Sequence, residues 1–354
     1  MTINIIDYEG GALIKNCNKN KKLNFIKFED FKDCLLDFDT YLVIQAGLPY
    51  KIRNELKIGN KVKILQWGAH EYNLIPFVSQ INFIRKLQEK HSFFYKIIFL
   101  INYKKMKALK KWLTKMIDRG AISFMTKQIY LNSKKYIGLS DDIKEHYLPN
   151  LASGITEYSK KTINQNSQKV KTKLDIAWIG RIGDFKIHIL NYTIEKLSIQ
   201  ALNNKTFINF HVIGEGEFSN ELNLNLENKY FKITNKGKLD KREVDIYLLE
   251  NIHVVFSMGT AALDGARIGL PVVLLDQSYI KVKDGYIFRY LFDTKGLDLG
   301  HPMIDSDFKI GNNSIDIILK DITDNYITLS NKTLKYFNNN HSVEIVTKKL
   351  ISLL

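Results

Sequence analysis

Short apolar runs alternate with helical stretches along the first half of the chain. Runs of strand length occur at residues 41–45, 62–66, 95–101 and 136–139. This alternation is typical of a parallel sheet that is covered by helices. Residues 104–119 repeat apolar side chains at helical spacing with lysines opposite, which predicts one amphipathic helix.

Two arrangements of that helix are consistent with its pattern. A basic face opposite Trp and Leu side chains is typical of a helix that lies on a membrane surface. Alternatively, the apolar stripe packs on the sheet and the lysines remain in water.

The second half repeats strand, turn and helix more regularly. We predict strands at residues 175–179, 207–213, 230–234, 253–256 and 271–275, a loop at 180–186, and helices at 188–202, 241–250 and 261–268. This succession is Rossmann-like, and such folds bind ligands at the carboxyl ends of their strands.

The length of 354 residues exceeds what one hydrophobic core usually supports. A polar segment rich in Ser, Lys, Asn and Gln separates the two halves. We therefore predict an N-terminal domain at residues 1–152, a linker at 153–173, a C-terminal domain at 174–340, and a final helix at 341–354 that packs toward the N-terminal domain.

Composition indicates a globular protein, with 45% apolar and 25% charged residues. No apolar run reaches the roughly 18 residues of a transmembrane helix. Asp7 and Glu9 lie where a secretory signal would carry basic residues. These features predict a cytoplasmic location, with Cys17 and Cys34 as reduced thiols.

The net charge of +15 is distributed unevenly. Residues 1–173 carry 31 Lys and Arg against 15 Asp and Glu, whereas residues 174–354 carry 21 against 22. A basic N-terminal half would attract a phosphate-linked acceptor or the anionic inner face of a membrane. The alternative is a general lysine-rich composition without a specific partner. Nucleic acid is not an expected partner, because no RRM, helix-turn-helix or zinc motif accompanies the charge.

Glycines and basic residues follow the first strand of the second half. Gly180 and Gly183 let the backbone approach a ligand, and Arg181 and Lys186 can converge on one polyanion. A diphosphate leaving group needs such cations, because negative charge accumulates on it as its bond breaks. The alternative is an exposed basic turn.

A second candidate site follows the strand at residues 253–256. The chain enters a Ser-Met-Gly-Thr turn and begins a helix, so the Gly259 and Thr260 amides are predicted to point outward toward a phosphate. Asp264 comes one turn later, where it could accept hydrogen bonds from ribose hydroxyls. The alternative for Asp264 is a carboxylate that interacts with the helix dipole or is solvated.

Together these segments resemble the donor domain of bacterial GT-B glycosyltransferases of group 1, a retaining-type family that builds capsule and lipopolysaccharide glycans. The likeness covers residues 174–285, and it is carried by Gly180-Arg181 with Lys186, residues 211–217 with Gly214 and Gly216, Gly237-Lys238-Leu239, and residues 264–273. It implies an α/β fold of the GT-B type, in which two Rossmann-like domains face each other across a cleft.

The resemblance also implies roles for residues. The family's Arg and Lys hold the donor diphosphate, which assigns that role to Arg181 and Lys186. The loop that frames the nucleobase in the family corresponds approximately to Gly237, Lys238 and Leu239, and the acidic residue that binds ribose corresponds to Asp264. With Gly214 and Gly216 of the matching segment, and with the Gly259 and Thr260 amides described above, these residues complete the expected donor-binding set. The co-substrate would be a UDP- or GDP-linked sugar, and no separate cofactor is expected. Retaining members usually carry two glutamates with seven residues between them. Here Asp264 holds the second position and Phe256 the first, so the stereochemical outcome does not follow.

The N-terminal half resembles the family only in architecture. Gly10-Gly11 follows the first apolar segment, where GT-B enzymes often have a glycine-rich loop. His70 and Glu71 follow the strand at residues 62–66 and are predicted to face the cleft. Either could take the proton of the acceptor hydroxyl or position the donor sugar. The alternative for both is a solvated loop position.

The predicted function is sugar transfer from a nucleotide-diphosphate donor to a surface glycan, such as a capsule, lipopolysaccharide or glycoprotein acceptor. No Asp-x-Asp triplet lies at a plausible site, which predicts a metal-independent hexosyltransferase. Two alternatives stay open. One is a noncatalytic GT-B scaffold or chaperone, and the other is a sugar-nucleotide epimerase, which should have more acidic and His residues at the cleft.

Overall fold

The structure of the protein is a computed structural model. It describes residues 3–7, 23–31, 41–45, 63–68, 100–118, 120–137, 146–153, 166–301, 303 and 314–353.

The first half contains short parallel strands. Strand β1 (Ile3–Asp7) pairs with β2 (Leu23–Lys27), and the helical turn α1 (Phe28–Phe31) follows. A second parallel sheet contains, in order, β3 (Tyr41–Gln45), β4 (Lys63–Gly68) and β5 (Ile122–Phe124). The first two predicted strands are therefore confirmed, and β1, β2 and β5 are additions.

The predicted amphipathic helix is α2 (Tyr103–Asp118). Its buried side chains join one core cluster with β5 and α3 (Lys127–Ile137), while its six lysines are exposed. The helix thus packs on the sheet, and its apolar stripe is not available to enter a membrane. Among the described helices, none combines the length and the apolar surface that a bilayer-spanning segment requires.

Two predicted strands are wrong where the structure describes them. Leu100 and Ile101 are helical, although they end the run at 95–101, and Tyr136 lies in α3 although it begins the run at 136–139. The rest of both runs lies outside the described residues. A short apolar run does not distinguish strand from helix, and α3 continues because its buried face keeps helical spacing from the first turn.

The second half forms a six-stranded sheet in the order β11-β10-β9-β6-β7-β8. Its strands are β6 (Lys173–Ile179), β7 (Phe207–Ile213), β8 (Phe231–Gly237), β9 (Val254–Ser257), β10 (Val272–Leu274) and β11 (Arg289–Tyr290). All pairs are parallel except β10 with β11. Strands β6, β9 and β10 are buried almost throughout, because helices cover both faces of a parallel sheet.

The described part of this half contains five α-helices. They are α4 (Asp184–Asn204), α5 (Lys241–Asn251), α6 (Thr260–Ala266), α7 (Ile315–Asn340) and α8 (Val343–Leu353). The predicted strands and helices between residues 175 and 275 are confirmed with small shifts. One shift matters, because α4 begins at Asp184 and Lys186 therefore lies in its first turn, not in a loop.

Several contacts join segments on either side of the predicted linker. The Ala152 amide donates to the His341 carbonyl (3.0 Å), and His341 Nδ1 lies 2.7 Å from the Asn150 carbonyl oxygen. Asn166, within the predicted linker, is buried and donates through Nδ2 to the Ile252 carbonyl (3.3 Å). The domain boundaries themselves stay a prediction.

A buried polar cluster lies at the amino-terminal edge of the six-stranded sheet. Asp175 Oδ1 lies 3.1 Å from His211 Nε2 and 2.8 Å from Lys173 Nζ. The Asp175 amide donates to His253 Nδ1 (3.0 Å), so His253 accepts through that atom. Burial would raise the pKa of Asp175, but hydrogen bonds from His211 and Lys173 lower it to about 2. Burial lowers the pKa of His253 to about 4, against the attraction of Asp175.

We expect this cluster to make the fold sensitive to acid. The unfolded chain binds more protons than the folded one between the ordinary His pKa of about 6.5 and the value of about 4 for His253, so stability falls as pH falls through that window. Asp175 acts in the same direction below its ordinary pKa. Urea unfolding at pH 7, 6, 5 and 4.5 would measure the slope. His253→Asn keeps an acceptor for the Asp175 amide and should reduce the dependence of the unfolding free energy on pH. An unchanged dependence would contradict the role assigned to His253.

Candidate functional site

The order of the parallel strands creates a crevice between β6 and β9. From β6 the chain proceeds to β7 and β8 on one side, whereas β9 and β10 lie on the other side. The connections after β6 and β9 therefore diverge, and this switch point is where open α/β sheets bind ligands. The Ser257 hydroxyl donates to the Ile179 carbonyl (2.8 Å) and joins the two strand ends below the crevice.

Two cations lie together at the carboxyl end of β6. A Cβ atom added to Gly180 would be 3.2 Å from Lys186 Nζ, so the ammonium lies directly over this glycine. Burial and the charge of Arg181 lower the pKa of Lys186 to about 8. Among the described residues, neither side chain has a carboxylate partner. Lys186 Nζ instead lies 5.8 Å from the Trp178 ring and 5.5 Å from the Phe185 ring.

The glycines after β7 have a packing role. Gly214 has φ +135°, and a Cβ there would lie 2.1 Å from the Gly180 carbonyl oxygen. A Cβ at Gly216 would lie 2.1 Å from the Ile182 carbonyl oxygen. Both glycines therefore allow the loop after β7 to lie against the loop that carries Arg181. This close approach explains both glycines without any ligand contact.

Lys238 and Leu239 follow β8, beside an open depression of about 760 Å³ that Gly214, Glu215 and Gly237 help to line. The Glu215 carboxylate accepts from the Lys238 amide (3.3 Å) and supports this turn. The Lys238 side chain is exposed, whereas Leu239 is half-buried against the core. Of the predicted nucleobase loop, Gly237 thus lines a depression of ligand size, and Lys238 and Leu239 follow it in the chain without lining it.

The turn after β9 was predicted to direct two amides, of Gly259 and Thr260, toward a phosphate, and the structure differs at Gly259. Gly259 has φ +64° and open space around its Cα, but its N–H donates to the Leu299 carbonyl (2.6 Å). This amide is therefore not directed at a phosphate. Thr260 is exposed and begins α6, and its amide has no hydrogen-bond partner among the described residues.

Asp264 lies in an ion-pair network and not in free solvent. Its Oδ1 pairs with Lys241 Nζ and lies 3.4 Å from Arg267 Nε. The buried Arg267 guanidinium also pairs with Asp245. The second carboxylate oxygen of Asp264 has no hydrogen-bond partner in the described part of the chain, so it remains available to a ribose hydroxyl.

Sequence reasoning missed a buried cluster that reaches this edge of the sheet. Arg289 donates to Asp276 and, through Nη2, to Asp298 Oδ2 (2.9 Å). His301 Nδ1 also lies 2.9 Å from Asp298 Oδ2. Within the described residues, Asp276, Asp298 and His301 are the one group with a geometry that could hold a metal ion, but the Arg289 guanidinium already lies among them. A signal existed in the sequence, because Asp276 follows a buried strand directly.

The predicted catalytic pair His70 and Glu71 lies outside the described residues, as does Gly10-Gly11. Their roles stay predictions. The structure brings together Arg181, Lys186, Gly214 and Gly216 at the adjacent carboxyl ends of β6 and β7, with Gly259 across the switch point. Asp264 lies one turn into the helix that Gly259 precedes.

Comparisons with known proteins identify the fold. No family model and no curated protein sequence matches this chain. Among solved structures, sucrose-phosphate synthase from Thermosynechococcus elongatus superposes with a TM-score of 0.51 at 12% identity, covering 88% of this chain and 72% of that one. A trehalose-6-phosphate synthase, studied with bisubstrate glycomimetics, gives 0.51 at 12% identity, covering 92% and 75%.

A third match is S. aureus TarM in complex with Fondaparinux, α-GlcNAc-glycerol and UDP, with a TM-score of 0.50 at 13% identity. It covers 90% of this chain and 56% of TarM, so the chain spans little more than half of that protein's length. These structures are GT-B glycosyltransferases, and the protein has the GT-B fold.

Proposed function

We propose that the protein transfers a sugar from a nucleotide-diphosphate donor, UDP- or GDP-linked, to a glycan or lipid-linked acceptor of a surface polysaccharide. The observation that carries this proposal is the pair of cations, Arg181 and Lys186, at the topological switch point. Like charges at short range raise each other's energy, and burial of one of them adds to that cost. Such a pair is stabilised when an anion with two or more negative charges binds between them.

The reaction requires this pair because the diphosphate gains negative charge as the glycosidic bond breaks. Arg181 and Lys186 would stabilise that charge without a metal ion, and the second oxygen of Asp264 would accept from the ribose. Lys238 and Leu239 would border the nucleobase in the adjacent depression. We assign the acceptor-side proton transfer to His70 or Glu71, as the sequence predicts.

The acceptor is assigned to the basic N-terminal half. Helix α2 buries its apolar stripe and presents lysines to solvent, which suits a phosphate-linked glycan or the anionic inner face of a membrane through charge alone. A cytoplasmic protein with peripheral contact to that membrane face would meet such acceptors there.

One observation favours the noncatalytic alternative. Two groups that were predicted to bind the donor already have partners within the protein. Asp264 is paired with Lys241, and the Gly259 amide donates to the Leu299 carbonyl. A scaffold would keep the fold and these internal contacts without binding a donor. Binding of nucleotides therefore distinguishes the two functions.

The test is a panel of UDP-, GDP- and CMP-linked sugars with thermal unfolding as the measurement, because a ligand that binds the folded state raises its melting temperature. We expect stabilisation by at least one donor and its loss in Arg181→Met. Lys238→Met, beside the base and not the phosphates, should retain part of the effect. If no donor stabilises the wild type, the result contradicts the transferase and favours the scaffold.

A further inference from the structure

The buried cluster after β10 is a group of charges near the proposed site that the proposed reaction does not use. Arg289 is almost fully buried and donates to Asp276 and Asp298. The His301 amide donates to Asp276 Oδ1 (3.1 Å), and the His301 ring lies against Asp298. His301 is therefore held at its backbone by Asp276 and at its ring by Asp298, and the Arg289 guanidinium contacts both of these carboxylates.

This cluster is tied to the cation pair through backbone contacts. The Gln277 amide donates to the His301 carbonyl (2.9 Å), and the next amide, of Ser278, donates to the Phe185 carbonyl (2.8 Å). Phe185 immediately precedes Lys186. The Leu299 carbonyl, two residues before His301, accepts from the Gly259 amide (2.6 Å). His301 thus lies at the carboxyl edge of the sheet, between the helix that carries Lys186 and the turn after β9.

The charges around the ring favour the imidazolium form. Asp276 faces it from the segment after β10, Asp298 from its own loop and Arg289 from β11, so two carboxylates oppose one guanidinium. The Tyr286 hydroxyl contacts the far side of Asp276. Burial lowers the pKa of His301, but the Asp298 hydrogen bond and the two carboxylate charges outweigh it and leave the pKa raised.

One ring nitrogen remains free for a ligand. Nδ1 lies 2.9 Å from Asp298 Oδ2 and 3.4 Å from Arg289 Nη2, and the shorter contact to Asp298 fixes the orientation of the ring. Nε2 has no hydrogen-bond partner among the described residues. The side chain keeps 11% exposure, so the ring is held in place but is not closed off. When a carboxylate holds one ring nitrogen of a histidine, the orientation of the ring is fixed. The other nitrogen can then donate a hydrogen bond in a defined direction.

We propose that His301 is a third diphosphate-binding residue, whose Nε2–H donates to a phosphate oxygen of the donor beside Lys186 and Arg181. Asp298 and Arg289 are its positioning residues. This inference rests on the proposed function, because it needs a nucleotide diphosphate at the switch point. It assigns the Asp276–Asp298–His301 group to anion binding and not to metal binding.

The experiment is calorimetric titration of UDP, GDP and CDP into the wild type, His301→Gln and Asp298→Asn between pH 6 and 8.5. We expect His301→Gln to bind about tenfold more weakly at pH 6, since a charge-assisted hydrogen bond is lost. The difference should shrink as pH rises, because the wild-type imidazolium loses its proton. Asp298→Asn keeps a hydrogen-bond partner for the ring but removes one negative charge, so the pKa of His301 should fall. As pH rises, this variant should therefore lose affinity for the nucleotide at a lower pH than the wild type does.

The outcomes separate this inference from the proposed function. If the wild type binds none of the three nucleotides, both fail. If it binds but His301→Gln binds equally, or is weakened by the same factor at every pH, the imidazolium is not a ligand and only this inference fails. His253→Asn, a histidine at the opposite edge of the sheet, serves as the matched control and should leave affinity unchanged. If His301→Gln does not fold, Asp298→Asn provides the test. Loss of affinity at the same pH as in the wild type would contradict this inference, and loss at a lower pH would support it.

Discussion

Gly214→Ala is expected to destabilise the protein by about 4 kcal/mol, which places it among the most damaging single substitutions. Two costs add at this position. The residue has φ +135°, which strains any side chain, and the new Cβ would lie 2.1 Å from the Gly180 carbonyl oxygen. A backbone atom cannot move aside as a flexible side chain can. Urea unfolding at pH 7 would measure the change.

Substitutions at two further glycines would measure the steric cost and the backbone-strain cost separately. Gly216→Ala brings a Cβ to 2.1 Å from the Ile182 carbonyl oxygen without a positive φ, whereas Gly285→Ala has φ +96° with nothing within 4 Å. We expect about 1–2 kcal/mol for Gly285→Ala, from strain alone. The loop variants should cost more. If Gly214→Ala costs no more than Gly285→Ala, the loops after β6 and β7 do not lie in contact.

Lys186→Met is expected to weaken nucleotide binding strongly and, at pH 7, to stabilise the folded protein. A hydrogen bond to a charged group contributes about 1.5–3 kcal/mol, so its loss should weaken binding by roughly 10–100-fold. The folded state holds the ammonium at a cost, because burial and Arg181 lower its pKa to about 8 from 10.5. An uncharged side chain of similar shape removes that cost. Thermal unfolding with and without UDP or GDP would show both effects.

The gain in stability should depend on pH in a defined way. Between pH 8 and 10.5 the unfolded chain binds more protons at Lys186 than the folded one, so wild-type stability rises with pH there. The advantage of Lys186→Met is therefore full below pH 8 and shrinks as pH approaches 10.5. Lys196→Met is the matched control on the same helix. Lys196 pairs with Asp284 at the surface, and its loss should leave nucleotide binding intact. A variant at Lys186 that retains binding would contradict the assigned role.

The glycines of the donor motif show how a correct pattern can have a different cause. Sequence reasoning associated Gly214 and Gly216 with ligand approach, and the structure shows two loops in backbone contact. Either cause requires glycine, so the residue type alone does not separate them. The Gly259 amide is a similar case, because its partner Leu299 lies 40 residues away along the chain and no local pattern indicates it.

Local pattern was sufficient for most elements of the second half. Strand β7 matches its predicted bounds, and α5 differs by one residue at its end, because apolar periodicity and the Asp240 capping box are local properties. In the first half the same method failed at Tyr136, where an apolar run continues a helix. Short runs contain too few periods to distinguish the two.

The sequence by itself determined the alternation of strands and helices, the excess charge of the first half, and the presence of Arg181 and Lys186 within one turn, since each depends on neighbouring residues. Tertiary structure alone decided which strands lie side by side, and hence that β6 and β9 form the switch point. It also brought His301 to that edge. These placements depend on hydrogen bonds between residues far apart in the chain, which a linear pattern does not encode.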